Sequence, residues 1–351
     1  MRQNNLSRIA KHSDPVITAD LKSGTVTMET VGRIAGVSQV TVSRALNDPK
    51  KVSAATLKRI QDAIELTGYV PNMVAGALAS RRSQLIAALV PSITNVIYSD
   101  LMQNFIDVIR GSGYHVLMAE TGFSQDEEQA VLSTMLSRRP DGILLTGIHH
   151  SPGCKRMLLG AGIPVVEVWD MTENPLDVCI GFSHIKAGEE MAKYAVSHGY
   201  EHALIVSAGD ERALRRKDSF SAQFSQLTGN APTEVLYEAG ATIERGRNGL
   251  THGLKQGFKN GIVMCSSDLL AHGILIEAQS RGLRVPEDIA VLGFGNQNFA
   301  PFTLPALSTV EVNRTHLGKQ AAEALIARIN NQLLPNNSID IGFEIIARAS
   351  T

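Results

Sequence analysis

Apolar positions from Thr27 to Thr67 recur at helical spacing in three short runs separated by polar breaks. Met28, Val31 and Ile34 stand at i, i+3 and i+6, so a first helix carries one apolar face. Thr27 offers a capping hydroxyl in front of it, and Gly36 accepts a left-handed stop behind it. Ser38 opens a second helix on which Val42, Ala45 and Leu46 turn inward. Ser38, Gln39, Val40, Ser43 and Arg44 are left on or near its open face. Two helices this short cannot bury their apolar stripes alone. The run after Ser53, with Leu57, Ile60, Ala63 and Ile64 at helical spacing and Gly68 as its stop, supplies a cover. The pattern predicts a helix-turn-helix arrangement over residues 27–71.

From Leu85 the texture changes to apolar runs alternating with helical periods. Strands are predicted at 85–90, 114–119, 142–145 and 164–168, with helices at 100–112 and 126–138. The pattern then repeats with helices at 186–197, 215–227, 244–256 and 269–281. The strands of this second part are 203–206, 235–237, 261–265 and 289–292. Strands apolar throughout, alternating with helices, imply a parallel sheet covered on both faces. The fold class is therefore α/β: a helical head followed by two Rossmann-type lobes over 85–351. The chain is expected to cross between lobes near 181–184 and 308–313. Ligands of open α/β sheets sit beyond the carboxyl ends of the strands, which places a site in the cleft between lobes.

Between head and body, Tyr69-Val70-Pro71 is extended because a residue before proline avoids the helical region. Asn72 can cap a short helix carrying Val74, Ala75, Leu78 and Ala79. Two turns are marginal in water, and Gly76 weakens them by roughly 1 kcal/mol relative to alanine. Residues 72–84 thus read as a hinge and linker that fold only with help from a partner. Residues 1–26 lack periodicity and read as a disordered arm.

Composition narrows the class. The 351 residues are 44% hydrophobic with a formal net charge of −1. That balance conceals an asymmetry: residues 1–84 hold twelve Lys and Arg against six Asp and Glu, and the remainder is acidic. A basic head on an acidic body suits phosphate contact by one end. No apolar run reaches the length of a membrane span, and no secretory leader is expected. The three cysteines, Cys154, Cys179 and Cys265, are widely spaced with no CxxC, which points to free thiols in a reducing cytoplasm. No nucleophile–base constellation, phosphate loop or metal motif stands out, so neither enzyme chemistry nor a cofactor is expected.

The order of the head motifs carries a resemblance. Val31…Ala35-Gly36-Val37-Ser38, Thr41-Val42-Ser43-Arg44…Leu46-Asn47, Val52-Ser53 and Gly68-Tyr69-Val70-Pro71-Asn72…Ala75…Leu78-Ala79 together resemble the LacI/GalR family of bacterial repressors. The resemblance implies that Ser38, Gln39, Val40 and Arg44 meet the major groove. Gln pairs with adenine, Arg bonds guanine bidentately, and Val40 can only touch a thymine methyl. Thr41, Ser43, Asn47 and Lys51 then fit phosphate or positioning contacts, although local capping is an equal use for the two hydroxyls. Asn72, Ala75 and Leu78 become hinge residues, with Leu78 wedged into a minor-groove base step. A homodimer on near-palindromic double-stranded operator DNA follows. A tetramerising tail is not expected, because the chain ends directly after the strand-like run 343–347.

The same resemblance makes the body a periplasmic-binding-protein-like effector domain. Its candidate contacts follow the strands: Ser92, Asn95 and Tyr98, then Thr146 and His149, then Glu167, Trp169 and Asp170. The second lobe adds Arg216, in an R-x-x-x-F arrangement with Phe220, and Ser267, Asp268 and Asn296. Trp169 could stack on a sugar ring or fill the edge of the core. His149 and His150 read as neutral rim histidines. Arg212, Arg215 and Lys217 read as a solvated helix face bonded to carboxylates of the protein itself. Gly295 stands where the family often has Asp, and losing that carboxylate beside Arg216 favours an anionic ligand. Asp141 to Thr146, Ala161 to Asp170, Ile180 to Phe182 and Asp210-Glu211-Arg212 look like the gluconate-utilisation repressors, so a sugar acid such as gluconate is the expected effector. A periplasmic solute-binding protein and a sugar-modifying enzyme are the rival readings.

Overall fold

The computed structural model describes residues 26–71, 82–238 and 240–351. The chain divides into two compact units, one up to Arg81 and one from Arg82 onward. The expected arm before residue 26 and the hinge residues Asn72, Ala75 and Leu78 lie outside the described residues.

In the head, α1 (Met28–Ala35), α2 (Gln39–Asn47) and α3 (Ala54–Thr67) enclose a small core of Val31, Ala35, Val42, Ala45, Ile60 and Ala63. Thr27 caps α1 by accepting from the Thr30 N–H at 3.2 Å. Ser38 and Ser53 do the same for α2 and α3. The tight turn between α1 and α2 depends on Gly32, where a Cβ would stand 2.8 Å from the Val37 carbonyl oxygen.

The first lobe of the body holds β1 (Leu85–Val90), β2 (His115–Glu120), β3 (Gly142–Thr146), β4 (Val165–Val168), β5 (Val178–Gly181) and β11 (Ser338–Asp340). They form one parallel sheet in the order β11-β5-β4-β3-β1-β2. The second lobe holds β6 (Ala203–Ala208), β7 (Thr233–Tyr237), β8 (Gly261–Cys265), β9 (Ile289–Phe294), β10 (Ser308–Glu311) and β12 (Glu344–Ile346). Their order is β12-β10-β9-β8-β6-β7, with only β12 antiparallel.

Ten-residue or longer helices cover both sheets: α4 (Val96–Gly111), α5 (Gln125–Leu136), α6 (Pro152–Ala161), α7 (His184–Ser197), α8 (Glu211–Thr228), α9 (Ile243–Lys255), α10 (Asp268–Ser280) and α11 (Arg314–Ile329). Strand interiors such as Leu144, Val166 and Ile180 in one lobe and Ile205, Met264 and Leu292 in the other are fully buried. Each such side chain contributes about 1.5–3 kcal/mol of apolar burial.

The chain crosses between lobes three times: after β5, after β10 and again between β11 and β12. The first two crossings fall close to where the sequence placed them. The third was not anticipated: β12 falls in the strand-like run 343–347, but β11, three residues long, carries no readable period. α6, β5, β10 and α11 were also missed. In α11 the signal was present, since Leu317, Ala321, Leu325 and Ile329 lie buried along one face. α8 starts at Glu211, capped by Asp210, four residues earlier than expected. That early start brings Arg212 into its first turn.

Candidate functional site

Where β1, β4, β6, β8 and β9 end, their loops enclose an inner chamber of about 70 Å³ between the lobes. Asn95, Tyr98 and Trp169 come from the first lobe, and Asp210, Arg212, Arg216 and Ser267 from the second. Asn95 caps α4 by accepting from the Ile97 N–H at 3.1 Å, which fixes Tyr98 one turn on. Trp169 packs edge-on against Tyr98 and Phe182, with ring centroids 6.1 and 5.5 Å away. It is at once wall of the chamber and edge of the core.

Two guanidiniums dominate the chamber. Arg212 donates to the Tyr98 hydroxyl at 3.2 Å, joining second lobe to first. Arg216 donates to His184 Nδ1 at 2.8 Å and to the Ser266 carbonyl at 3.0 Å, and lies 3.8 Å above the Phe294 ring. Its Nε is buried without a partner. Among the described residues neither guanidinium forms an ion pair. Burial lowers Arg216 to about 10, so it remains charged at neutral pH. Burial, then the nearby charges of Arg216 and Arg212, hold His184 neutral far below its ordinary range. The chamber therefore sets two guanidiniums against one carboxylate, that of Asp210, a balance that attracts an anion.

On the head, α2 presents Gln39, Val40 and Arg44 to solvent, and Val40 is 66% exposed. This face thus sets an exposed branched apolar side chain beside Gln and Arg. Ser38 bonds Thr41 locally, Asn47 donates to the Ser43 carbonyl at 3.0 Å, and Lys51 pairs with Asp48 at 3.0 Å.

Comparison with known proteins decides the family. Residues 27–72 match the profile of bacterial regulatory proteins of the lacI family, and 192–351 match a periplasmic binding protein-like domain. The HTH-type transcriptional regulator GntR of Pseudomonas aeruginosa is 35% identical over 332 residues, 94% of this chain and 96% of that protein. This chain belongs to the LacI family. The GntR regulator of Escherichia coli is 32% identical over 311 residues, covering 88% of this chain and 94% of its own length. A crystal structure of a LacI-family transcriptional regulator from Silicibacter pomeroyi superposes with a TM-score of 0.87 at 30% identity, covering 93% of this chain and 99% of that one. The molecule is thus a DNA-binding transcriptional regulator, not an enzyme.

As a LacI-family regulator it departs from several sequence expectations. Asn95, Tyr98, Trp169, Arg216 and Ser267 do line the inner chamber. Thr146, His149 and Asp170 line an adjoining outer cleft of about 280 Å³ instead. Four expected contacts lie outside both spaces. Glu167 accepts from the Leu176 N–H at 2.7 Å and pairs with His150, so its carboxylate is held within the first lobe. Asp268 accepts from the Gln297 N–H at 2.7 Å and the Thr309 hydroxyl at 2.5 Å, a strut that burial pushes up to about 6. Asn296 accepts from Arg348 at 2.8 Å, and Ser92 bonds Thr94 in its own loop.

His150 is buried between Glu128 and Glu167 rather than neutral at a rim. Burial alone would lower it, but the bonds to the two carboxylates outweigh that and raise it to about 9. Arg215 and Lys217 do bond the protein's own carboxylates, Asp170 and Glu234. Arg212 does not follow them. It and Asp210 are chamber residues that the sequence reading left out: the i, i+4 spacing of Arg212 and Arg216 puts both on one helix face, but the helix was expected to begin only at residue 215. Gly295 has a backbone reason beyond any lost carboxylate: its φ is +123°, and a Cβ there would stand 2.7 Å from Ile97 Cδ1.

Proposed function

We propose that this LacI-family regulator is a repressor of sugar-acid catabolism whose inner chamber takes a sugar acid such as gluconate. The reading is supported by one observation above others: two buried guanidiniums, Arg212 and Arg216, face a small chamber without a carboxylate paired to either. A ligand carboxylate supplies the missing charge and a partner for buried N–H groups. Ser267, Asn95 and Asp210 stand ready for hydroxyls.

The regulator acts in the cytoplasm as a homodimer on near-palindromic operator DNA. Gln39, Val40 and Arg44 read bases, while Asn72, Ala75 and Leu78 form the hinge. Effector binding shifts the lobe arrangement and thereby the population of DNA-competent dimers, by no more than its differential affinity for the two states. Release of DNA is the proposed direction. Titrating protein on operator DNA with gluconate, 2-ketogluconate and matched neutral polyols tests the reading, alongside thermal shifts for the same compounds. Acids alone should raise the melting temperature by mass action and release DNA. Stabilisation by neutral polyols alone would remove the anionic pocket.

A further inference from the structure

Arg216 has three neighbours in its cage, and all are neutral: the His184 imidazole, the Ser266 carbonyl and the Phe294 ring. A carboxylate is the commoner anchor for a buried guanidinium. It would orient the group equally well, but it would also cancel the charge.

His184 sits where the chain first enters the second lobe, at the start of α7 and behind its cap Ser183. Its ring is buried, packed edge-on against Phe182 with centroids 4.4 Å apart. Nε2 lies 2.9 Å from the Trp169 carbonyl, which can only accept, so Nε2 carries the proton. Nδ1 is left with its lone pair aimed at Arg216 Nη1, 2.8 Å away, which can only donate. Every site on the ring is thereby assigned, with no freedom to turn. The Trp169 carbonyl comes from the first lobe and Arg216 from the second, so the imidazole also ties ligand-facing groups of both lobes together.

We propose that His184 is a positioning residue that sets the anion specificity of the chamber, orienting Arg216 through a neutral acceptor so that its charge remains for the ligand. Another solution was sterically open, since an Asp at this position would reach the same guanidinium. It would turn the chamber toward uncharged polyols. The inference rests on the sugar-acid reading of the chamber and adds the residue that makes it selective.

Calorimetric titration with D-gluconate and with sorbitol, its uncharged counterpart, tests this on the full-length protein and three variants, with thermal melting to establish folding. His184→Phe keeps the ring packing and removes the acceptor; gluconate affinity should fall at least tenfold. His184→Asn places an acceptor oxygen where Nδ1 stands and should restore affinity to within about threefold of the parent, a rescue that a merely structural role would not give. His184→Asp should abolish the preference for gluconate over sorbitol.

Equal gluconate affinity in the parent, His184→Phe and His184→Asp proteins would overturn the positioning role while leaving the sugar-acid reading intact. A parent protein that binds sorbitol and not gluconate would overturn both. Nitrogen-15 NMR of the histidine rings gives a check without ligand. A buried imidazole protonated at Nε2 alone at neutral pH is expected, and protonation at Nδ1 in the free protein would refute the assignment.

Discussion

Basic side chains around the interlobe cleft fall into two regions that differ in what holds them. In the inner chamber, Arg212 and Arg216 are held by a phenol, an imidazole, a carbonyl and an aromatic face. Along the outer cleft and the flank of the first lobe, Arg215 is held by Asp170, His149 by Glu211, and His150 by Glu128 and Glu167. Three of these arginines belong to the same two turns of α8. The difference shows that a cluster of positive charge in a sequence is not yet an anion site. The second region is a set of internal bridges, whereas in the first no carboxylate among the described residues forms an ion pair with either guanidinium, although Asp210 lines the same chamber.

The comparison is broken most directly at Arg216. Arg216→Met keeps much of the side-chain volume and should weaken gluconate binding by about 2–4 kcal/mol, the usual range when one partner of a buried charged contact is removed. Calorimetry measures it, and an unchanged dissociation constant would move the ligand out of the inner chamber.

A second prediction concerns the carboxylate-held region and uses pH. His150 is raised from 6.5 to about 9 in the folded protein. Its charged form is therefore favoured by folding: the stabilisation is complete below pH 6.5 and is lost as pH rises toward and past 9. The full loss is about 3 kcal/mol, measurable by urea unfolding across that interval. His150→Gln should flatten the profile there. Asp268, raised to about 6, acts in a lower window and with the opposite charge: folding disfavours its ionised form, so it costs stability as pH rises from about 4 to 6.

The head offers a third kind of cation. Arg44 is exposed on α2. Arg44→Ala should cost about 1–3 kcal/mol of operator affinity and relax specificity at one base pair. A gel-shift series over operator variants checks both. Uniform weakening across all sequences would instead make Arg44 a phosphate contact.

How much of this was legible in the sequence follows from the range of the signals. Helix-turn-helix geometry is local, so caps, stops and apolar faces from Thr27 to Gly68 specify it within one stretch of chain. The alternating body is also local in its parts, and both lobes were readable. What the sequence did not reveal depends on contacts far apart in the chain. Glu167 near the end of β4 and Asp268 just after β8 stand where a ligand-binding carboxylate would, yet Leu176 and Thr309 claim them. Arg212 and Arg215 differ by three residues on one helix, and only the Tyr98 and Asp170 side chains of the other lobe separate their roles. Gly295 looked like a missing carboxylate and is also a backbone requirement.

The smallest effect is expected at Asp170, and it tests the division itself. Asp170 is almost wholly buried, but Arg215 retains about a quarter of its exposure, so water screens the pair from one side. Asp170→Asn keeps the acceptor for the Met171 N–H and removes only the charge. Between the near-zero value of exposed pairs and the larger cost of breaking buried ones, a loss of about 1–2 kcal/mol in folding stability is expected. Gluconate affinity should change less than about threefold, because Arg215 faces the outer cleft and the inner chamber keeps both of its guanidiniums. A loss of gluconate binding in Asp170→Asn as large as in Arg216→Met would mean that the two regions act as one site, with the bridge across the cleft needed to form the chamber at all.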